Sequence, residues 1–256
     1  ELPIFSLLKA LWARRFGLFE KKPDYIFGVG SHTQARVLLL GRVYPKAKTV
    51  IMMKPNFPVN WFDYAIIPQH DGVKESMHVI TTQGALNPIV NENRHQPNRI
   101  LIALGGNSKR HQWNDEKVLS SIQRLVENNV HATFILTTSR RTPDTFLETL
   151  PQQNFYSKLQ IFPVEHTPQG WVFEEMQKAE AVWVTEDSVS MIFEALTAGC
   201  KVGVIKINRL KEDRITRSID QIIQSNLVSD ETFIEMLVEP HAFKEAERVA
   251  TYLLAQ

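Results

Sequence analysis

Short, almost wholly apolar runs bounded by glycine, proline or polar residues alternate along this chain with longer segments of helical period. The first kind reads as buried strands of a parallel sheet, the second as the helices that cross between them. In the first half YIFGVG (25–30), TVIMM (49–53), YAIIP (64–68) and HVITT (78–82) are strands, and TQARVLLLGRV (33–43) is a helix. In the second half RILIALGG (99–106), HATFILTTS (131–139), KLQIF (158–162), AVWVTE (181–186) and KVGVIK (201–206) are strands. Asn114 caps a helix with Asp115 and Glu116 in its first turn and Val118, Leu119, Ile122, Leu125 and Val126 on one face. Shorter helices are expected after Pro143, near 170–178 and over 188–198. Pro240 is expected to open a last helix, with Ala242, Ala246, Val249 and Leu253 along one stripe. Upstream, residues 4–19 read as a helix with Ile4, Leu8, Leu11 and Trp12 on a broad apolar arc.

Between the two α/β runs, residues 84–99 are polar, contain Pro88 and Pro97 and show little periodicity. They read as a linker. The pattern therefore predicts an N-terminal Rossmann-like domain over 1–90, a second over 91–238, and a helix in 239–256 that returns to the first. The expected fold class is α/β, two Rossmann-like domains facing each other across a cleft.

Composition removes several functions. With 43% hydrophobic and 22% charged residues among 256, the chain is ordinary for a globular protein. Lys+Arg is 29 against 28 Asp+Glu, so nothing in the charge calls for a nucleic-acid partner. A lone cysteine, Cys200, excludes an intramolecular disulfide and a cysteine-based zinc site, and fits a reducing, cytoplasmic setting. No apolar run approaches the roughly 18 residues of a spanning helix, and no signal-peptide pattern is visible.

The segment with most chemistry is TEDSVSMIFEALTAGCKVGVI (185–205): strand, acidic turn, helix, glycine, strand. Ligands of open α/β sheets sit at the carboxyl ends of strands, so Glu186, Asp187 and Ser188 fall at that edge. The helix N-terminus offers amides and a positive dipole end to a phosphate. Glu194, nearly two turns in, is placed to accept hydrogen bonds from a ribose. The plainer reading makes Ser188 an N-cap, Gly199 a helix stop and Glu194 a solvated side chain.

GGNSKR (105–110) also follows a strand. Gly105 and Gly106 allow close backbone approach, and Ser108 and Lys109 can reach a diphosphate; an ordinary strand-to-helix turn is the alternative. In SRRTP (139–143), Ser139, Arg140 and Arg141 suit a phosphate, or a structural ion pair. In the first domain His70 and Asp71 of PQHD (68–71) are candidates to take a proton from an acceptor hydroxyl, with a capped turn as the alternative. His32 and Gln34 of SHTQ hold a similar position. Asp-x-Asp is absent, which favours a metal-independent scheme with no metal ligands. The helix over 4–19, flanked by Arg14, Arg15, Lys21 and Lys22, either covers a sheet or makes a peripheral contact with an anionic membrane.

TEDSVSMIFEALTAG (185–199) carries a resemblance that the rest of the chain extends. GRVYPKAKTVIMM (41–53), FDYAIIPQHD (62–71), ITTQGAL (80–86), ALGGNSKRHQW (103–113) and TTSRRTP (137–143) follow in order and spacing. Over residues 24–206 the chain resembles the mitochondrial-fission "elongated mitochondria" family of plants and its bacterial relatives, a GT-B-like group. Glu186, seven residues, Glu194, then a small residue, glycine and an apolar strand also resembles the donor-site motif of many GT-B glycosyltransferases. The resemblance implies a nucleotide-diphosphate sugar as donor substrate, with no separate cofactor. Glu194 would hold the ribose, and Ser188, Ser108, Arg140 and Arg141 the diphosphate. His70 or Asp71 would serve as base toward a glycan or glycolipid acceptor, in the cytoplasm or at the cytoplasmic face of the membrane. Two departures stand out. The family's Gly-His-x-x-Gln-like loop is not found, so the first domain is expected to be truncated at its N-terminus. HTPQGW (166–171) stands where members often carry Asn-Pro-Tyr. Epimerisation or hydrolysis of a sugar nucleotide, and a binding role that keeps the fold without catalysis, are the competing functions.

Overall fold

The computed structural model describes residues 22–256; the helix expected over 4–19 lies outside them. The chain divides into two compact units, one reaching to Leu86 and joined by Arg248–Gln256, the other spanning Asn87–Glu247.

The first unit holds four parallel strands in the order β1 (Tyr25–Val29), β2 (Lys48–Met52), β3 (Tyr64–Pro68), β4 (Val79–Thr82). Helix α1 (Gln34–Val43) crosses from β1 to β2. It packs on one sheet face, where Val37 meets Ile26, Ile51, Ala65 and Ile67. A Cβ on Gly28 would run into Val37 and Thr33, so glycine lets α1 sit close to the strand. No α-helix links β2 to β3; PNFPVNW (55–61) has two prolines, which remove N–H donors and disfavour helical neighbours. The other sheet face is covered by the chain's last helix. There Val249 and Leu253 bury Val50, Tyr64, Ile66 and Ile80, and the Tyr25 hydroxyl donates to the Leu253 carbonyl at 2.6 Å.

The second unit is a five-stranded parallel sheet in the order β10 (Lys201–Ile205), β9 (Ala179–Thr185), β5 (Gln96–Ala103), β7 (Thr133–Thr137), β8 (Leu159–Phe162). Its central strands are apolar on both sides, as a sheet covered by helices requires. One face packs on α2 (Asp115–Asn128) and α3 (Asp144–Thr149), the other on α4 (Trp171–Lys178) and α5 (Val189–Ala198). The Asn114 side chain accepts from the Lys117 amide at 2.8 Å and caps α2. A small antiparallel ribbon joins β6 (His111–Gln112) to β11 (Asn208–Arg209). Helix α6 (Arg214–Gln224) follows it, started by a reciprocal cap between Asp213 and Thr216.

Two expectations shift. The linker does not stand apart. Asn87 donates to Thr197 Oγ1 at 3.0 Å, and Gln177 both accepts from the Glu92 amide and donates to the Val90 carbonyl. These bonds tie 87–95 to the second unit, so the division falls at 86/87 rather than 90/91. Pro240 does not open the last helix. That helix, α7, runs Glu245–Leu254, because Phe243 is drawn into the core of the second unit against Phe193, with ring centroids 5.9 Å apart. The crossing to the first unit accordingly falls at 247/248 rather than 238/239.

Candidate functional site

At the carboxyl edge of the second sheet three loops are knitted together by short polar bonds. The Gly105 amide donates to Thr185 Oγ1 at 2.7 Å, and the Gly106 amide to Asp187 Oδ2 at 3.0 Å. Ser139 Oγ and Thr142 Oγ1 both donate to the Gly105 carbonyl, the former at 2.9 Å. A Cβ on Gly106 would collide with the Arg141 carbonyl, and one on Gly105 with Asp187 and Ser188. Both glycines are therefore required by the contact between loops, whatever binds there.

The Asp187 side chain is wholly buried and pairs with Arg141 Nη1 at 2.7 Å. Arg141 Nη2 donates to Ser188 Oγ at 3.0 Å, and Ser188 Oγ leans on Asp187 Oδ2 at 3.3 Å. Arg141 is thus held by its inner edge, while its side chain stays 42% exposed. This geometry leaves donors of the guanidinium fork available to an anion. Ser188 stands at the N-cap of α5 without bonding the helix amides. The plain capping role does not apply to it, and the first-turn amides keep their donors.

Glu194 is half-buried on α5 and makes no hydrogen bond or ion pair among the described residues. Burial pushes its carboxyl above the usual range, with no neighbouring charge to offset it. Ser190, exposed one turn earlier, shares its helix face. Arg140 and Lys109 are exposed and without a partner at the same edge.

Other expected residues have different work. Glu186 is 1% exposed and accepts from the Ile207 amide at 3.0 Å and from Arg209 at 2.7 Å. Arg209 also forks onto Asp220, which with Glu186 holds its guanidinium above its ordinary pKa. Glu186 anchors the β11 ribbon, so its carboxylate is not directed at a ligand. Ser108 Oγ accepts from the Arg110 and His111 amides and closes its own turn. Ser139 Oγ, besides its bond to Gly105, accepts from the Arg141 amide at 3.2 Å. Both serines shape the loops. Sequence reasoning missed Thr142 and Thr185, whose hydroxyls tie the glycine loop down; Thr185 at the end of its strand was the available signal, and Thr142, in the loop before Pro143, had none.

In the first unit His70 and Asp71 form a short turn after β3, with Nε2 to Oδ1 at 3.6 Å and side chains 10% and 4% exposed. Gln34 is buried and accepts from the Asn56 amide at 3.0 Å, so it serves the fold and not an acceptor. His32 is exposed. Among the described residues no group of three or more His, Cys, Asp or Glu is arranged to hold a metal, and no helix is long and apolar enough to cross a membrane.

Two parallel α/β units with loop clusters at the strands' carboxyl ends define the class as GT-B-like. The structure of UDP-GlcNAc 2-epimerase from Methanocaldococcus jannaschii has the same fold: TM-score 0.50 at 14% identity, over 100% of this chain and 84% of that one. The accessory secretory protein 1, 2 and 3 structure from Streptococcus pneumoniae gives TM-score 0.52 at 11% identity, over 84% of this chain and 53% of that one. The chain belongs to the family Mitochondrial fission ELM1, whose sequence model matches residues 4–256. An uncharacterised protein of Rickettsia prowazekii is 24% identical over 280 residues, covering 89% of this chain and 78% of that protein.

Proposed function

We propose that the second unit binds a nucleotide-diphosphate sugar at its carboxyl edge and that the protein transfers the sugar to a glycan or glycolipid acceptor. The observation that carries this is Glu194, a half-buried carboxylate without a partner, on the helix that starts beside the Arg141–Asp187–Ser188 cluster. An unpaired carboxylate in such a place is costly unless a ligand's hydroxyls complete it; the vicinal hydroxyls of a ribose do so. Arg141, Arg140, Lys109 and the first-turn amides of α5 then meet the diphosphate. Charge on the leaving diphosphate is balanced by these groups without a metal ion. His70 or Asp71 takes the proton of the acceptor hydroxyl as it attacks the anomeric carbon, and the nucleoside diphosphate leaves. The reading places the reaction in the cytoplasm, where sugar nucleotides are made, and at the membrane face when the acceptor is a glycolipid. The epimerase similarity in fold keeps one alternative in view.

The test is turnover in chelator with a panel of sugar nucleotides, with and without a bacterial glycolipid extract. Transfer predicts release of nucleoside diphosphate that depends on the extract. An epimerised sugar nucleotide without release supports the alternative, and binding without either product supports a non-catalytic role.

A further inference from the structure

Two of the buried polar atoms without a hydrogen-bond partner, Asp187 Oδ1 and His111 Nε2, lie on the segments that meet at the glycine loop. The His111 residue is 2% exposed, and the Asp187 side chain is wholly buried. Their segments are joined, since the loop from Gly105 to His111 donates into the turn at 185–187 through the Gly105 and Gly106 amides.

The tautomer of His111 follows from its neighbour. Ser108 Oγ lies 3.2 Å from His111 Nδ1. That hydroxyl already accepts two backbone N–H groups, from Arg110 at 3.1 Å and His111 at 3.0 Å. Its own hydrogen is then directed to Nδ1, which must be an acceptor. The ring proton therefore sits on Nε2, as a buried donor that needs an acceptor. Asp187 Oδ1 is a buried acceptor that needs a donor. The charged groups around the ring are Glu186, Asp187, Arg209 and Arg110, the last paired with Asp213. Burial lowers the imidazole pKa, the two arginines add to this, and the two carboxylates oppose it. The neutral ring agrees with the tautomer that Ser108 requires.

We propose that His111 is a positioning residue of the anion site: its Nε2–H, through one buried water, donates to Asp187 Oδ1 and fixes the carboxylate that holds Arg141. The inference rests on the reading of Arg141 as a diphosphate ligand, but the network is testable without it. A buried donor and a buried acceptor are each costly when left alone, and one water with two such partners and a polar surrounding relieves both.

The experiment has two arms. Nitrogen-15 NMR of histidine-labelled protein reports the His111 tautomer at pH 7, with the Nε2–H form and slow proton exchange expected. An Nδ1–H tautomer, or a freely exchanging ring, overturns the proposal whether or not a nucleotide binds. Uridine diphosphate is then titrated into wild type, His111→Phe and His111→Gln. The Phe variant fills the space but removes the donor, and is expected to bind about tenfold more weakly. The Gln variant restores an N–H near the place of Nε2 and is expected within about threefold of wild type. Equal loss in both variants, or loss in neither, contradicts the proposal. Absence of uridine diphosphate binding in wild type would exclude a uridine donor without touching the diphosphate reading of Arg141, and the tautomer arm would still decide the network.

Discussion

Glu194 carries a prediction that a solvated glutamate would not. Its folded-state pKa is raised by burial, so the folded protein holds that proton more tightly than the unfolded chain does. Its contribution to stability is lost as pH rises from the ordinary glutamate value through the raised folded one. Replacing Glu194 with Gln removes that loss. Glu194→Gln is expected to melt at a higher temperature than wild type at pH 8, with the difference fading toward pH 4; calorimetry across that range checks it. The same substitution is expected to weaken nucleotide binding by about 10- to 100-fold, since bonds to a charged acceptor are worth about 1.5–3 kcal/mol each. Gly106 yields the opposite kind of effect. A Cβ there meets the Arg141 carbonyl, a backbone atom that cannot rotate away. Gly106→Ala is expected to cost about 1–3 kcal/mol of stability, read from urea unfolding, and an unchanged midpoint would show that the loops separate easily.

At the scale of elements, helix α6 shows both what was legible in the sequence and what was passed over. The β-strands stand out because buried parallel strands are continuous apolar runs, and ILIA (100–103) and AVWV (181–184) carry no other plausible period. Helix α2 was legible from Asn114 and one apolar stripe. Helix α6 carries equivalent signals that were not read, Asp213 and Thr216 at capping spacing and Ile215, Ile219, Ile222 and Ile223 on one side. The ribbon of β6 and β11 is two residues a side and has no period to read. The start of α7 was set by the burial of Phe243, a tertiary cause that Pro240 does not announce. The site divides in the same way. The half-buried place of Glu194 on α5 and that of Arg141 after β7 were legible from position and charge, whatever binds there. The inward turn of Glu186 was not, because its partner Arg209 lies 23 residues on, in a ribbon without a sequence signal. Asp213 caps α6 through the Ile215 and Thr216 amides and pairs with Arg110 at 2.8 Å. Asp213→Ala is expected to lower the denaturation midpoint, because the cap is lost, and an unchanged midpoint would mean the ribbon holds α6 without its cap.

For the whole molecule, the proposed function puts nucleotide binding on the unit Asn87–Glu247 and the proton acceptor, His70 or Asp71, on the unit that reaches to Leu86. Replacing His70 and Asp71 together with Ala is therefore expected to slow transfer by about 10²–10⁴-fold while leaving nucleoside diphosphate affinity within about twofold, because sites without shared partners act independently; steady-state turnover beside calorimetric titration separates the two. The central claim is that the Arg141–Glu194 edge takes a nucleoside diphosphate without a metal. It is tested most directly by thermal melting of wild type and Arg141→Ala in chelator with millimolar uridine, guanosine, adenosine, cytidine and thymidine diphosphates. At about 100 times its dissociation constant, one of these is expected to stabilise wild type by about 2.7 kcal/mol, and to shift Arg141→Ala much less. No shift with any of them, or an equal shift in the variant, would contradict the account.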